Sequence, residues 1–315
     1  MPPLAPERIC DKLVAVGDID QEGESAIENF NIVVIGGGPG GYTAGIKAAM
    51  KGARVAVVEY RELGGVCLNR GCIPSKALIA SAAQYKNMKE AEHFGIHLGV
   101  PPVYDWLAMR ARKDKIVSTL VGGISQLFKS HGVTHYQGFA KLTSPNHVTV
   151  TDEHGDETKL KADNIIIATG SRPISIPAFP VDGIRVLTSD HLLELESLPK
   201  SILIIGAGVI GCEWAFMLSM LDVEVHMVEM LDHALPMEDI NTSTLIEREL
   251  KKLKVGLHTK TKVEAIVGGA EGVQAKLSSG KSIDTNLALV SVGRSFNTEE
   301  IGLEEVGVEL NKNRS

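Results

Sequence analysis

Cysteine is scarce. Four residues in a chain of 315 cannot build the disulfide framework on which small secreted domains rely, which points to a reducing compartment. Long apolar runs are missing as well: none reaches the roughly 18 residues of a membrane-crossing helix. No Lys/Arg block offsets the net charge of −7, which argues against nucleic acid or an anionic membrane as principal partner. The first 29 residues carry seven acidic and two basic side chains around no apolar core, which excludes a secretory signal and argues against an Arg-rich presequence. Residues 1–29 therefore read as a weakly ordered lead-in without an assigned function, and the location as cytoplasmic.

What is present describes an α/β protein of about two domains, each long enough to bury its own core: 44% of residues are hydrophobic, 23% are charged, and 32 are glycine. Asn31-Ile32-Val33-Val34-Ile35 is a β-branched run of the kind a buried parallel strand needs. Gly36, Gly38 and Gly41 follow in G-x-G-x-x-G spacing, then a helix from Tyr42 to about Lys51 and a strand from Arg54 to Val58 that ends at Glu59. Such a turn brings a pyrophosphate onto the amides of a helix N-terminus, and the acidic residue is placed to hold ribose hydroxyls.

One such turn is a weak signal, with a plain tight turn as its rival, but the construction returns. Ser201–Ile205, then Gly206, Gly208 and Gly211, then a helix from Cys212 to about Leu221, then Val223–Val228 and Glu229 repeat it. Gly36, Gly41 and Glu59 each lie 170 residues before their counterparts. Each copy later reaches an apolar strand ending in glycine, Ile165–Gly170 with Thr169 and Leu289–Gly293. Two dinucleotide sites are expected. Gly132–Gly138 and Asn146–Thr151 suggest a small antiparallel layer turning at Asp152–Asp156, and Arg172–Pro180 is a proline-punctuated crossover. Residues 264–267 and 272–278 suggest a hairpin layer in the second domain.

Inside the first copy lies Gly64-Gly65-Val66-Cys67-Leu68-Asn69-Arg70-Gly71-Cys72-Ile73-Pro74-Ser75-Lys76. Residues five apart on a regular helix sit about 7.5 Å apart along the axis and point in different directions. A disulfide needs closer Cα atoms than about 7 Å. Cys67 and Cys72 can therefore join only if the backbone between them is irregular, which Gly71 and Pro74 permit. A redox-active pair beside a cofactor is the leading reading, a zinc half-site or two unrelated buried thiols the alternatives. No metal site is expected, since Cys10 and Cys212 are isolated. Lys76, one turn after Cys72, would favour a thiolate.

Together these motifs resemble the flavoprotein disulfide reductases, and the wording of the cysteine loop is most similar to that of dihydrolipoyl dehydrogenases. The resemblance covers about residues 30 to 310. It implies two Rossmann-like domains: an FAD-binding domain (30–172) carrying the redox disulfide, an inserted NAD-binding domain (173–295), and a return toward the FAD domain (296–315). It implies FAD on Gly36, Gly38, Gly41, Glu59, Gly65, Thr169 and Gly170, and NAD on Gly206, Gly208, Gly211, Glu229 and Gly293. Cys67 would exchange with substrate, Cys72 would face the flavin, and Lys76 would pair with Glu213 beside the nicotinamide. The implied reaction is oxidation of dihydrolipoyl groups on lipoyl domains of 2-oxo-acid dehydrogenase complexes with reduction of NAD. Another disulfide or mercuric reductase, or a non-catalytic nucleotide-binding scaffold, are the alternatives.

Two departures stand out. Phe296 replaces a proline usual in the family, and the chain stops at Ser315, where family members continue into a second flavin segment and a dimerisation domain with a His–Glu pair. The resemblance thus implies a chain shortened at its C-terminus, with a full-length homodimer. His191 and Glu196 imitate that pair in spacing alone and read as solvated helix residues. Cys212 reads as a small packing residue.

Overall fold

A computed structural model of the chain describes residues 27–269 and 272–315. Most of the expected lead-in, with Cys10, lies outside the described residues. Glu28 and Asn29 do not belong to it: strand β1 (Glu28–Ile35) begins two residues before the expected domain start. Val33 and Val34 are fully buried on opposite faces: Val34 packs toward Ile124 and Phe128 of a helix, Val33 toward Leu142, Val148 and Ile301, so a β-branched run covered on both sides is what the position requires. Helix α1 (Pro39–Ala49) and strand β2 (Val55–Glu59) complete the first nucleotide unit. The chain then forms two helices broken at Gly71, α2 (Gly65–Arg70) and α3 (Cys72–Lys89), followed by the long α4 (Trp106–His131).

Strands β3 (Thr134–Gln137), β4 (Phe139–Ser144), β5 (His147–Thr151) and β6 (Glu157–Ile167) come next. All join one six-stranded sheet in the order β3-β2-β1-β6-β5-β4. This corrects the expected antiparallel layer at its first member. β3 runs parallel to β2 at the sheet edge, with Val57 opposite His135. Only β4, β5 and β6 form an antiparallel meander, and it is continuous with the parallel sheet because β6 pairs with β1 and β5 together. The turn at Asp152–Asp156 is as expected, with the Asp152 carboxylate accepting from the amides of His154 and Asp156.

After β7 (Ser171–Pro173) the second unit contains β8 (Val186–Leu187), α5 (Ser189–Leu192), β9 (Ser201–Ile205), α6 (Val209–Met220), β10 (Glu224–Val228), α7 (Ile240–Lys252) and β11 (Gly256–His258). A meander of β12 (Val263–Gly269), β13 (Gly272–Leu277) and β14 (Ser282–Thr285) precedes β15 (Leu287–Val290). The five-stranded sheet is parallel, ordered β11-β10-β9-β15-β8. Its first four places repeat β3-β2-β1-β6, so the sequence duplication is a duplication of topology, the half-Rossmann arrangement. Strand β16 (Arg294–Phe296) returns antiparallel to β7, so both chain crossings between the units run side by side.

The units share a core. Leu78, Ala82 and Trp106 of α3 and α4 pack with Leu187, Leu192, Ile204 and Trp214 of the second unit. No helix among the described residues is long and apolar enough to cross a membrane.

Candidate redox and nucleotide site

Each fingerprint turn is built by crowding at two glycines and openness at the third. A Cβ at Gly36, whose φ is +108°, would lie 2.2 Å from the Ala168 carbonyl oxygen, and one at Gly41 would lie 1.8 Å from that of Gly36. In the second turn a Cβ at Gly206 would meet Ser291 O at 2.6 Å and one at Gly211 would meet Gly206 O at 2.1 Å. Gly38 and Gly208 differ: a Cβ there would come no nearer than 3.6 Å to anything, or would meet nothing within 4 Å. They cap α1 and α6, and neither cap receives a side-chain hydrogen bond. The first-turn amides of both helices thus face open space, the arrangement that receives a phosphate.

The two acidic residues are equally alike. Glu59 accepts from the amides of Gly37 and Arg61, both at 2.8 Å. Glu229 accepts from Ala207 at 2.8 Å and Leu231 at 2.9 Å. The donors obey the same spacing of 170 residues as the glycines. Both carboxylates are 8% exposed and keep acceptor capacity for ribose hydroxyls, since a carboxylate offers about four lone-pair sites. Gly36, Glu59 and Thr169 line a cleft of ≈ 210 Å³ with Arg172 and Glu299. Gly206, Gly208, Glu229 and Gly293 line a larger one of ≈ 720 Å³ with Arg294. The first is narrowed by the returning chain: Arg172 bonds Glu299 at 2.6 Å, and Asn297 bonds the carbonyls of Thr169 and Gly170 at 2.9 and 3.0 Å. Open helix N-termini beside carboxylates with spare acceptor capacity are the chemistry that a dinucleotide's pyrophosphate and ribose require. Arg172, Arg294 and Asn297 were not singled out from sequence as lining the clefts, because their placement depends on the β7–β16 ribbon.

The cysteine loop is pinned to the first turn. Gly64 donates to Gly37 O at 2.8 Å, and Gly65 lies so close to Gly38 that a Cβ on it would be 2.6 Å from Gly38 Cα. Leu68 is buried beneath, and the Asn69 amide bonds the Leu63 and Gly65 carbonyls, both at 3.0 Å. At Gly71 (φ −142°, ψ −111°) the helix breaks, and a Cβ there would sit 3.4 Å from Cys67 Cα. This is the irregular backbone the five-residue spacing demands. Cys67 and Cys72 are both free thiols in this structure, partly buried and exposed respectively. Among the described residues no cluster of three His, Cys, Asp or Glu side chains could hold a metal ion.

Burial pushes the Cys67 thiol up to about 11, and the neighbouring Cys72 thiol acts in the same direction. The expected pull of Lys76 toward the thiolate is present but outweighed. The ammonium is bound 2.5 Å from Glu213 of α6, and Ser75 also reaches that carboxylate at 3.4 Å. The dithiol and the second nucleotide unit therefore meet across one ion pair. Cys212 is 4% exposed in the shared core, with its thiol on Ala207 O at 3.4 Å, a packing residue. His191 accepts from the Thr188 amide at 3.1 Å and caps α5, and Glu196 is exposed; the two form no dyad.

A family model described as pyridine nucleotide-disulphide oxidoreductase matches residues 30–315. The dihydrolipoyl dehydrogenase of Chlamydia pneumoniae is 41% identical over 281 residues, covering 89% of this chain and 60% of that protein. One from Bacillus subtilis is 39% identical over 293 residues, covering 89% and 61%. The crystal structure of LpdA from Mycobacterium tuberculosis superposes with a TM-score of 0.84 at 28% identity, over 91% of this chain and 63% of that one. The chain spans about 60% of the length of the curated relatives it matches. With two matched nucleotide turns and a dithiol loop set between them, it belongs to the pyridine nucleotide-disulphide oxidoreductase family.

Proposed function

We propose that this chain is the FAD- and NAD-binding part of a dihydrolipoyl dehydrogenase. The observation that carries the reading is the Cys67/Cys72 pair folded together at the Gly71 break, one helical turn from the Lys76–Glu213 bridge and between the two nucleotide turns in sequence. In the oxidised protein, a thiolate of a dihydrolipoyl group attacks Cys67 of the Cys67–Cys72 disulfide and the displaced electron pair leaves on Cys72. The second substrate thiol then displaces Cys67, releasing a cyclic lipoyl disulfide and leaving both cysteines reduced. Two electrons and two protons have moved from substrate to protein. FAD, when bound, supplies the two-electron chemistry that connects this dithiol to NAD.

The chain's own residues bind, orient and tune. The open amides after Gly38 and Gly208 hold pyrophosphates, and Glu59 and Glu229 hold ribose hydroxyls. Glu229 repels a 2′-phosphate and so favours NAD over NADP. Lys76 and Glu213 fix the electrostatics where dithiol, flavin and nicotinamide would meet. The lipoyl domains of 2-oxo-acid dehydrogenase complexes are the proposed partners, the whole protein is proposed as a homodimer, and a reducing, cytoplasmic setting accords with only four cysteines in 315 residues.

The test is reduction of NAD by dihydrolipoamide, with FAD supplied. Turnover with dihydrolipoamide and none with glutathione or mercuric ion supports the assignment. A chain that binds FAD and reduces glutathione disulfide or mercuric ion instead belongs to another branch of the family.

A further inference from the structure

The side chain directly before the Gly71 break belongs to none of the roles above. Arg70, the last residue of α2, grips Glu62 at two points, Nη1 to Oε2 and Nη2 to Oε1, both at 2.9 Å. Glu62 stands three residues before α2 begins, so the fork ties the far end of this helix back to its own approach. Six residues are too few to hold a helix by backbone bonding alone. Arg70 also lies between the cysteines in sequence, three residues after Cys67 and two before Cys72. The Arg70 side chain is 29% exposed against 53% for Glu62, and the guanidinium holds the Glu62 carboxyl below its ordinary value.

We propose that Arg70, through its two-point grip on Glu62, is a positioning residue that sets the dithiol–disulfide equilibrium of Cys67 and Cys72. The inference rests on reading that pair as redox-active. Closing a disulfide requires Cα atoms within about 7 Å, and the break at Gly71 already folds the chain back on Cys67, whose Cα lies 3.4 Å from where a Cβ on Gly71 would stand. A loop held in that geometry loses little freedom when the S–S bond forms, whereas a loop released at its far end loses more. The fork therefore favours the disulfide, and its removal favours the dithiol. Lysine supplies the charge without the planar fork and should restore little. An ion pair this exposed contributes modestly, so the change is about threefold in the equilibrium constant, or about 14 mV for a two-electron couple.

The experiment equilibrates the full chain with mixtures of reduced and oxidised dithiothreitol, traps thiols by alkylation at acid pH, and maps Cys67 and Cys72 by mass spectrometry. Each molecule of cyclic reagent disulfide that is reduced takes two hydrogens from the protein dithiol, so the exchange balances. Arg70→Gln and Glu62→Gln should each shift the constant about threefold toward dithiol, the double variant should shift it no further than either single one, and Arg70→Lys should recover less than half. Lys252→Gln, which breaks the exposed Lys252–Glu249 pair, should leave it unchanged. Single variants that match the unsubstituted chain, or a double variant equal to the sum of both, would overturn the proposal. If the unsubstituted chain forms no Cys67–Cys72 disulfide, the redox reading fails and the proposal with it. Circular dichroism of each variant separates loop release from unfolding.

Discussion

Glu229 is held by two backbone amides before any ribose arrives. Glu229→Ala leaves both donors without their partner in a buried corner, and a loss of about 1–3 kcal/mol is expected. Denaturant unfolding should show it, with Glu59→Ala matching it in the first unit. At Cys212 the consequence is a pH dependence. Burial pushes its thiol up to about 12, whereas an unfolded thiol releases its proton near 9. The unfolded chain thus loses its proton first. The stability contributed by the neutral thiol is complete below pH 9, falls from there, and is gone above about pH 12. Melting temperatures of Cys212→Ala should decline less steeply with alkalinity across that window. Cys67 was harder to read from sequence: Lys76 one turn after Cys72 suggested a favoured thiolate, yet Glu213, 137 residues away, holds that ammonium and burial dominates. In the dithiol form its alkylation should therefore accelerate about tenfold per pH unit until near pH 11.

Among the elements, the turns discriminate between two kinds of glycine. Gly41→Ala and Gly211→Ala force a methyl group against a backbone carbonyl, so both should destabilise their units severely, in loss of soluble yield or of several degrees in melting temperature. Gly208→Ala meets no protein atom within 4 Å. It should fold normally and weaken NAD binding at least tenfold, the cost of filling the space a pyrophosphate takes, measurable by calorimetric titration. These elements were legible because strand, glycine turn, helix and acidic residue lie within about 30 residues and were written twice. Helix α2 was not, because it is held by Leu68, Asn69 and the Arg70 fork rather than by propensity. β3 was misplaced for a similar reason: a short, exposed strand does not declare which neighbour it will join, and here it runs parallel to β2 at the sheet edge.

Across the whole molecule, α4 fastens the two units together. Trp106 Nε1 bonds Leu195 O at 2.8 Å, Arg110 Nη1 bonds the same oxygen at 2.9 Å, and Lys113 Nζ bonds Leu193 O at 3.0 Å. The three lie along one face of the helix, and Lys113 is only 2% exposed. Tyr85 and Lys89 of α3 bind Asp222 beside them, at 3.0 and 2.5 Å. With the core also shared, thermal unfolding should be one cooperative transition, and Lys113→Ala should lower its midpoint by removing a buried donor worth about 1–3 kcal/mol. A second, separate transition would show that the units are independent. None of this clamp could be read from sequence, since Trp106, Arg110 and Lys113 reach carbonyls 80 to 89 residues away.

The central claim is that Cys67 and Cys72 form the disulfide that a dihydrolipoyl group reduces. It is tested most directly by oxidising the chain, adding one equivalent of dihydrolipoamide without oxygen, and mapping alkylated cysteines alongside the lipoamide formed. The account predicts a Cys67–Cys72 disulfide before addition, new labels confined to those two residues after it, and one lipoamide per disulfide lost. An oxidised chain that dihydrolipoamide leaves unlabelled, or labels only at other cysteines, would contradict it.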